Sequence, residues 1–223
     1  MKKFRILLPL LAGFAATPAY AQDLGISARV ELRGGYDEVR ADLTVQNSAF
    51  ETDFGVGDYV FGAEAGIDAR IFPGVSVGAY AGIDMSQVDE CVNRPFAAIA
   101  PSRTDIVCVD AGQNFSLGIR AGIPVGNEGL IYAKGGYSRG TFEGSYNSNT
   151  TTQVFSGRDT VDGYHFGGGF EISFGGGLYG KAEYVQHRYE RAFTSMFTGT
   201  NQYDPLRHQL VAGIGFRFGG GSR

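Results

Sequence analysis

Apolar side chains alternate with polar or small ones, position by position, in eight stretches of this chain: 26–37, 58–71, 75–86, 114–123, 130–142, 163–174, 178–189 and 208–218. A period of two marks a β-strand, whose successive side chains point to opposite faces. In 75–86, Val75, Val77, Ala79, Ala81, Ile83 and Met85 alternate with Ser76, Gly78, Tyr80, Gly82 and Asp84. In 208–218, His208, Leu210, Ala212, Ile214, Phe216 and Phe218 alternate with Gln209, Val211, Gly213, Gly215 and Arg217. One face is mostly greasy and the other holds glycines, hydroxyls and charges. Beyond residue 21 no apolar run is long enough for a membrane helix. The expected class is all-β.

The connections alternate too. Short ones fall near 72–74, 124–129 and 175–177, and long ones at 38–57, 87–113, 143–162 and 190–206. A soluble sandwich or lipocalin-like barrel has no reason to keep that order, whereas a barrel crossing an outer membrane does. The pattern predicts an eight-stranded antiparallel up-and-down transmembrane β-barrel with short periplasmic turns and four long external loops. Its greasy face would meet lipid and its polar face a lumen. Residues 1–21 read as a signal peptide. Lys2, Lys3 and Arg5 precede an apolar core, and Ala19, Tyr20 and Ala21 form a small-x-small cleavage site. The barrel is assigned to 22–218 and a short tail to 219–223.

Composition agrees with this reading. Of 223 residues, 35 are Gly, 12 Tyr and 17 Phe, which suits small inward positions and aromatic girdles. The formal charge of −4 becomes three units more negative once residues 1–21 are removed. The acids gather in the predicted loops, so no basic stripe exists for nucleic acid. On the polar face the predicted lumen network comprises Arg29, Glu31, Arg33, Glu64, Asp68, Arg70, Asp84, Arg120, Lys134, Glu171, Lys181, Glu183 and Arg217. Charges in a narrow lumen must pair, because an unpaired buried charge is costly. A lumen of eight strands is just wide enough for side chains to fill it. A core plugged by paired charges is therefore expected, with a narrow diffusion pore as the alternative.

Catalytic chemistry finds little support. Each histidine has Gly167, Tyr189 or Leu210 two residues on along its face, and none has the serine that a Ser-His-acid hydrolase requires there. A partner distant in sequence stays open, and a lipid-modifying enzyme remains the least favoured reading. No spacing of His, Cys and carboxylate suggests a metal, and no cofactor is expected. Cys91 and Cys108, the only cysteines, share the second predicted loop and are expected to form a disulfide in an oxidising compartment. Pro95 and Pro101 suggest a turned-back excursion between them, with Phe96 and Ile99 on its apolar tip as candidates for an external contact.

On three features the chain resembles the small eight-stranded outer-membrane barrels of the OmpA-like, opacity-protein type, which include porin-family surface antigens. These are the signal ending Ala19, Tyr20, Ala21, the strand carrying Glu183 and Tyr184, and the stretch Gly213, Ile214, Gly215, Phe216, Arg217, Phe218. That stretch is similar to the terminal signal read by the outer-membrane barrel-assembly machinery, with Gly213, Phe216 and Phe218 in its key places. Val211 stands where a polar residue is usual, and Gly219 to Arg223 follow where many relatives stop. No peptidoglycan-binding domain is seen after the barrel. The resemblance implies outer-membrane location and contact with membrane lipid and lipopolysaccharide. It also implies a structural or cell-surface interaction role, with an external protein or host-surface ligand engaged through the loops. The barrel is expected to be a monomer and not an enzyme.

Overall fold

The computed structural model describes residues 25–44, 51–72, 74–93, 106–147, 154–189 and 205–219. Nine strands follow in chain order: β1 (Ile26–Thr44), β2 (Glu51–Phe72), β3 (Val75–Ser86), β4 (Asp89–Asn93), β5 (Ile106–Val125), β6 (Gly129–Asn147), β7 (Val154–Gly175), β8 (Leu178–Tyr189) and β9 (Pro205–Gly219). All pairings are antiparallel, and β1 with β9 and β3 with β5 close the sheet on itself. The short β4 carries on the line of β3 past Gln87 and Val88 and pairs with β5. Nine elements thus make eight staves of a closed barrel. Residues 1–21, the tail residues 220–223, and Phe96 and Ile99 lie outside the described residues. Gly219, assigned to the tail from sequence, is the last residue of β9.

The exterior is built for lipid. Leu32, Phe61, Ile67, Leu117, Ile119, Phe170 and Ile214 point outward and are exposed. Tyrosines ring the loop end of this band, paired across strands as Tyr36 with Tyr59 and Tyr137 with Tyr164. Phe72, Phe174 and Phe216 mark the turn end, where the Phe216 and Phe218 rings lie 4.8 Å apart. At the β7–β8 turn, Gly175, Gly176 and Gly177 have φ of 90°, 62° and 88°, the left-handed region that favours glycine.

Beyond the tyrosine ring the pattern inverts. Val39, Val88, Ala111, Phe142, Val161 and Tyr189 point inward and pack into an apolar cluster, while Arg139, Asp162, Glu143 and Arg158 point outward. The same strands run out of the lipid into water, so their apolar face must turn from outside to inside. This corrects the predicted loop boundaries. Much of 38–57, 87–113 and 143–162 is strand, with β1 reaching Thr44, β2 starting at Glu51, β6 reaching Asn147 and β7 starting at Val154. Cys91 and Cys108 are likewise not loop residues. They sit opposite each other on β4 and β5, 4.0 Å apart at Cα, and are joined as a disulfide on this extension.

The disulfide fastens β4, the shortest strand, to its neighbour. Replacing Cys91 by Ser should open the β4–β5 extension to protease while the barrel keeps its different mobility in unheated and heated detergent gels. Equal protease resistance in the two proteins would mean that strand pairing alone holds the extension.

Candidate functional site

The lumen gathers nearly every charge that the sequence assigned to it. Arg33 is at the centre, with Nε and Nη2 each 2.9 Å from Asp84 and Nη1 2.8 Å from Glu64 and 3.2 Å from Glu183. Arg29 bonds Glu64 at 2.7 Å and Glu31 at 3.1 Å. Toward the turn end, Arg120 grips Asp68 in bidentate fashion at 2.7 and 2.8 Å and also pairs with Glu171, which Arg217 reaches at 2.7 Å. Lys134 bonds Glu64 at 2.7 Å and Glu183 at 3.2 Å, and Lys181 pairs with Glu31 and Glu183. Among the described residues the connected network holds six carboxylates and six cations. Its formal charge is zero, as a water-poor interior requires.

Arg70 is the exception. It was expected in the lumen, yet it is exposed at the turn end, where the β2–β3 register shifts between Arg70 and Phe72. Arg70 still pairs in register with Ser76, so its exposure comes from its place at the rim, where water removes the need for a buried partner.

Tyrosines complete the network. Tyr132 donates to Glu183 at 2.6 Å and Tyr179 to Glu31 at 2.7 Å, so the carboxylates find further donors inside the wall. Glycines face the large rings. A Cβ on Gly215 would lie 2.3 Å from the Tyr179 ring, and one on Gly118 would lie 2.6 Å from the Tyr80 hydroxyl. Gly213, singled out for assembly, faces the same interior, where a Cβ would come 2.8 Å from the Leu32 carbonyl.

Above the charges lies a second layer that sequence reasoning missed. Arg207 Nε donates to Asp37 at 2.7 Å, and both are buried. Ser138 Oγ sits 2.7 Å from His165 Nδ1 and 2.9 Å from His187 Nδ1, and Tyr80 bonds the far nitrogen of His165. The serine absent along each histidine's own strand is supplied by the adjoining wall, since β6, β7 and β8 are successive staves that bring Ser138 to His165 and His187. Arg207 can only donate, so the Gln209 carbonyl turns toward it at 3.2 Å and the amide donates to His187 Nε2 at 3.0 Å. His187 then carries its proton on Nδ1 and donates to Ser138, which donates to His165. The Ser138 side chain is fully buried, and no described carboxylate bonds either imidazole. Only the inward parity of Ser138 and His165 hinted at this layer.

Outside the lumen and beyond the membrane band, Asp89, Asp110 and Glu143 stand side by side on β4, β5 and β6. Burial, then the neighbouring Glu143 and Asp89, hold the Asp110 carboxyl above its ordinary value, against the pull of Arg158.

A closed antiparallel barrel of eight staves, greasy outside and ionic within, is a membrane-spanning β-barrel. Residues 6–218 match the family model described as outer membrane protein beta-barrel domain, and the chain belongs to that family. It is an outer-membrane protein. No curated protein matches the sequence. Among solved structures, Ail of Yersinia pestis is similar at 12% identity and a TM-score of 0.45, over 86% of this chain and 99% of that one. Neisserial surface protein A is similar at 9% identity and 0.42, over 87% and 97%. OprG of Pseudomonas aeruginosa is similar at 11% and 0.40, over 86% and 96%.

Two outcomes are expected. Arg120→Ala or Glu64→Ala strands a buried charge and should cost about 3–5 kcal/mol, whereas exposed Arg158→Ala should cost about 0–1 kcal/mol. The chain has no Trp, so urea-driven folding is best followed by gel mobility, and equal small losses at all three positions would indicate a hydrated lumen. For Asp110, the folded form holds its proton more tightly than the unfolded chain. Its contribution to stability is full below the ordinary carboxylate pKa and is lost as pH rises through the raised value. Opening free energies of amides 106–111 from hydrogen exchange should fall with rising pH in the wild type and fall less in Asp110→Asn.

Proposed function

We propose that this protein is a non-catalytic outer-membrane scaffold whose barrel anchors an extended strand platform for contacts at the cell surface. The observation that carries this reading is the filled lumen: a twelve-charge network, a layer of hydrogen-bonded histidines, and an apolar cluster stacked above them. Three chemically different layers leave a solute no shared path, which favours a plug over a narrow pore. Residues 1–21 act as the export signal. Gly213, Phe216 and Phe218 present a terminal strand to the barrel-assembly machinery, and lipopolysaccharide and lipid surround the monomeric barrel. A host-surface or other external protein ligand is met through the loops, with Phe96 and Ile99 as candidate contacts.

The lipid-modifying reading is disfavoured by Ser138, which has two imidazoles but no exposure and, among the described residues, no carboxylate behind them. Single-channel recording of the refolded protein in planar bilayers tests the proposal. Absence of discrete conductance steps is expected, and steady unitary steps at neutral pH would establish the pore instead.

A further inference from the structure

One buried imidazole joins the hydrogen-bonded layer of the lumen to the apolar cluster above it. His187 on β8 has Ser138 of β6 on Nδ1 and Gln209 of β9 on Nε2. Its ring lies parallel to that of Tyr189, two residues on along the same face, with centroids 6.1 Å apart and planes within 5°. Tyr189 belongs to the apolar cluster, where it meets the Phe142 ring edge-on at 5.1 Å and donates to Asn114 Oδ1 at 2.9 Å. It is also the last residue of β8. The strand end that fills the cluster is thus held from below by His187.

A neutral imidazole fits this place and an imidazolium does not. Each link of the row has one donor and one acceptor: Arg207 to the Gln209 carbonyl, the Gln209 amide to His187 Nε2, His187 Nδ1–H to Ser138, and Ser138 to His165. A second proton on His187 would sit on Nε2 and face the Gln209 N–H. Turning the Gln209 amide gives Nε2–H an acceptor, but it points the amide N–H groups at Arg207, which can only donate. One donor–donor contact remains either way. Charge gives no relief. The charged groups that face His187 are the cations Arg207 from β9 and Arg33 from β1, beside neutral His165 from β7. Asp37 on β1 is bound by Arg207, and Asp84 on β3 by Arg33. Ser138 from β6 and Asn114 from β5 bring no charge.

His165 is placed differently. A second proton there would fall on Nδ1, and Ser138 can then turn its hydroxyl toward Ser116, its in-register neighbour on β5. Ser116 Oγ is buried without a partner among the described residues. Of the charged groups facing His165, Glu64 and Glu183 offset Lys134 and Arg33, and Tyr80 from β3 bonds its far nitrogen. The layer's intolerance of a second proton therefore centres on His187.

We propose that His187 is an acid-released latch that ties the end of β8, with its Tyr189, to the lumen. An imidazole set free in water takes its second proton at about pH 6.5, whereas the closed layer offers that N–H no acceptor. The open form thus holds one proton more, so the latch is shut above about pH 6.5 and is lost as pH falls below it. Once the end of β8 is free, Tyr189 leaves Phe142 and the extension loosens, while the charged network and the lipid band stay. The proposal goes beyond the scaffold reading and uses only the buried place of this layer.

Hydrogen exchange of the refolded protein in zwitterionic micelles tests it, with opening constants corrected for the intrinsic pH dependence of exchange. Amides 185–189 and their partners 163–167 on β7 are followed from neutral to mildly acid pH. In the wild type the opening constant should rise about tenfold per pH unit below about pH 6.5, the response of one proton. His187→Gln, neutral at every pH, should lose that response, and His165→Gln should keep it. Gln209→Glu offers a carboxylate to both Arg207 and Nε2–H, and should also abolish it. An opening constant that stays flat with pH in the wild type would overturn the latch. So would a second proton on His187, seen in its ring ¹⁵N signals, with amides 185–189 still protected. A response kept by His187→Gln and lost by His165→Gln would overturn the assignment to His187. Gel mobility confirms that each variant is folded, and amides 106–111, whose expected pH response has the opposite sign, serve as an internal control. Conductance at neutral pH reads nothing of an acid response, so failure here stays separate from failure of the plugged-scaffold reading.

Discussion

Lipid offers no hydrogen bonds, and the rest of this structure depends on that fact. Every backbone N–H and C=O within the bilayer must find a partner in the protein, so the sheet has to close. Closure here depends on two pairings, β1 with β9 and β3 with β5. The first joins the two ends of the barrel, with Ala28 opposite Phe218 and Leu32 opposite Ile214. The terminal strand is thus structural before it is anything else. Its apolar face completes the exterior, and its glycines leave room inside for Tyr179.

Closing only eight staves sets the second constraint. An interior of this width is one that side chains can fill, and its charges are too costly to be left unpaired. The answer is a neutral ionic network braced by tyrosines, with glycines opposite the largest rings. Such a network specifies register as well as filling space. A one-residue slip of any stave would put its charges in lipid and its apolar residues among the ions. The layer of Ser138, His165, His187 and Gln209 above it satisfies its donors and acceptors in one consistent direction, set by Arg207.

Where the strands leave the membrane, their environment reverses and so do their faces. Phe142 and Val161 point inward on the strands that carry Tyr137 and Tyr164 outward nearer the membrane. The result is a platform with a small water-soluble core of its own, clamped by the bond between Cys91 and Cys108. The outward side chains of this extension are thereby carried on paired strands, which hold them at fixed separations.

The sequence by itself determined the eight-fold alternation, the barrel class, the lipid-facing side and nearly all of the ionic network. It could do so because a period of two against one uniform solvent is a local signal, readable strand by strand. It failed where the physics stopped being local. Strand ends beyond the tyrosine ring read as loops from sequence, because the alternation inverts where water replaces lipid. Arg70 has the parity of the lumen but stands at the rim, a height that its alternation alone does not show. The bonds of Ser138 to two histidines and the pair of Asp37 with Arg207 needed the tertiary structure. Each depends on the stagger between strands far apart in sequence, and only closure of the barrel fixes that stagger.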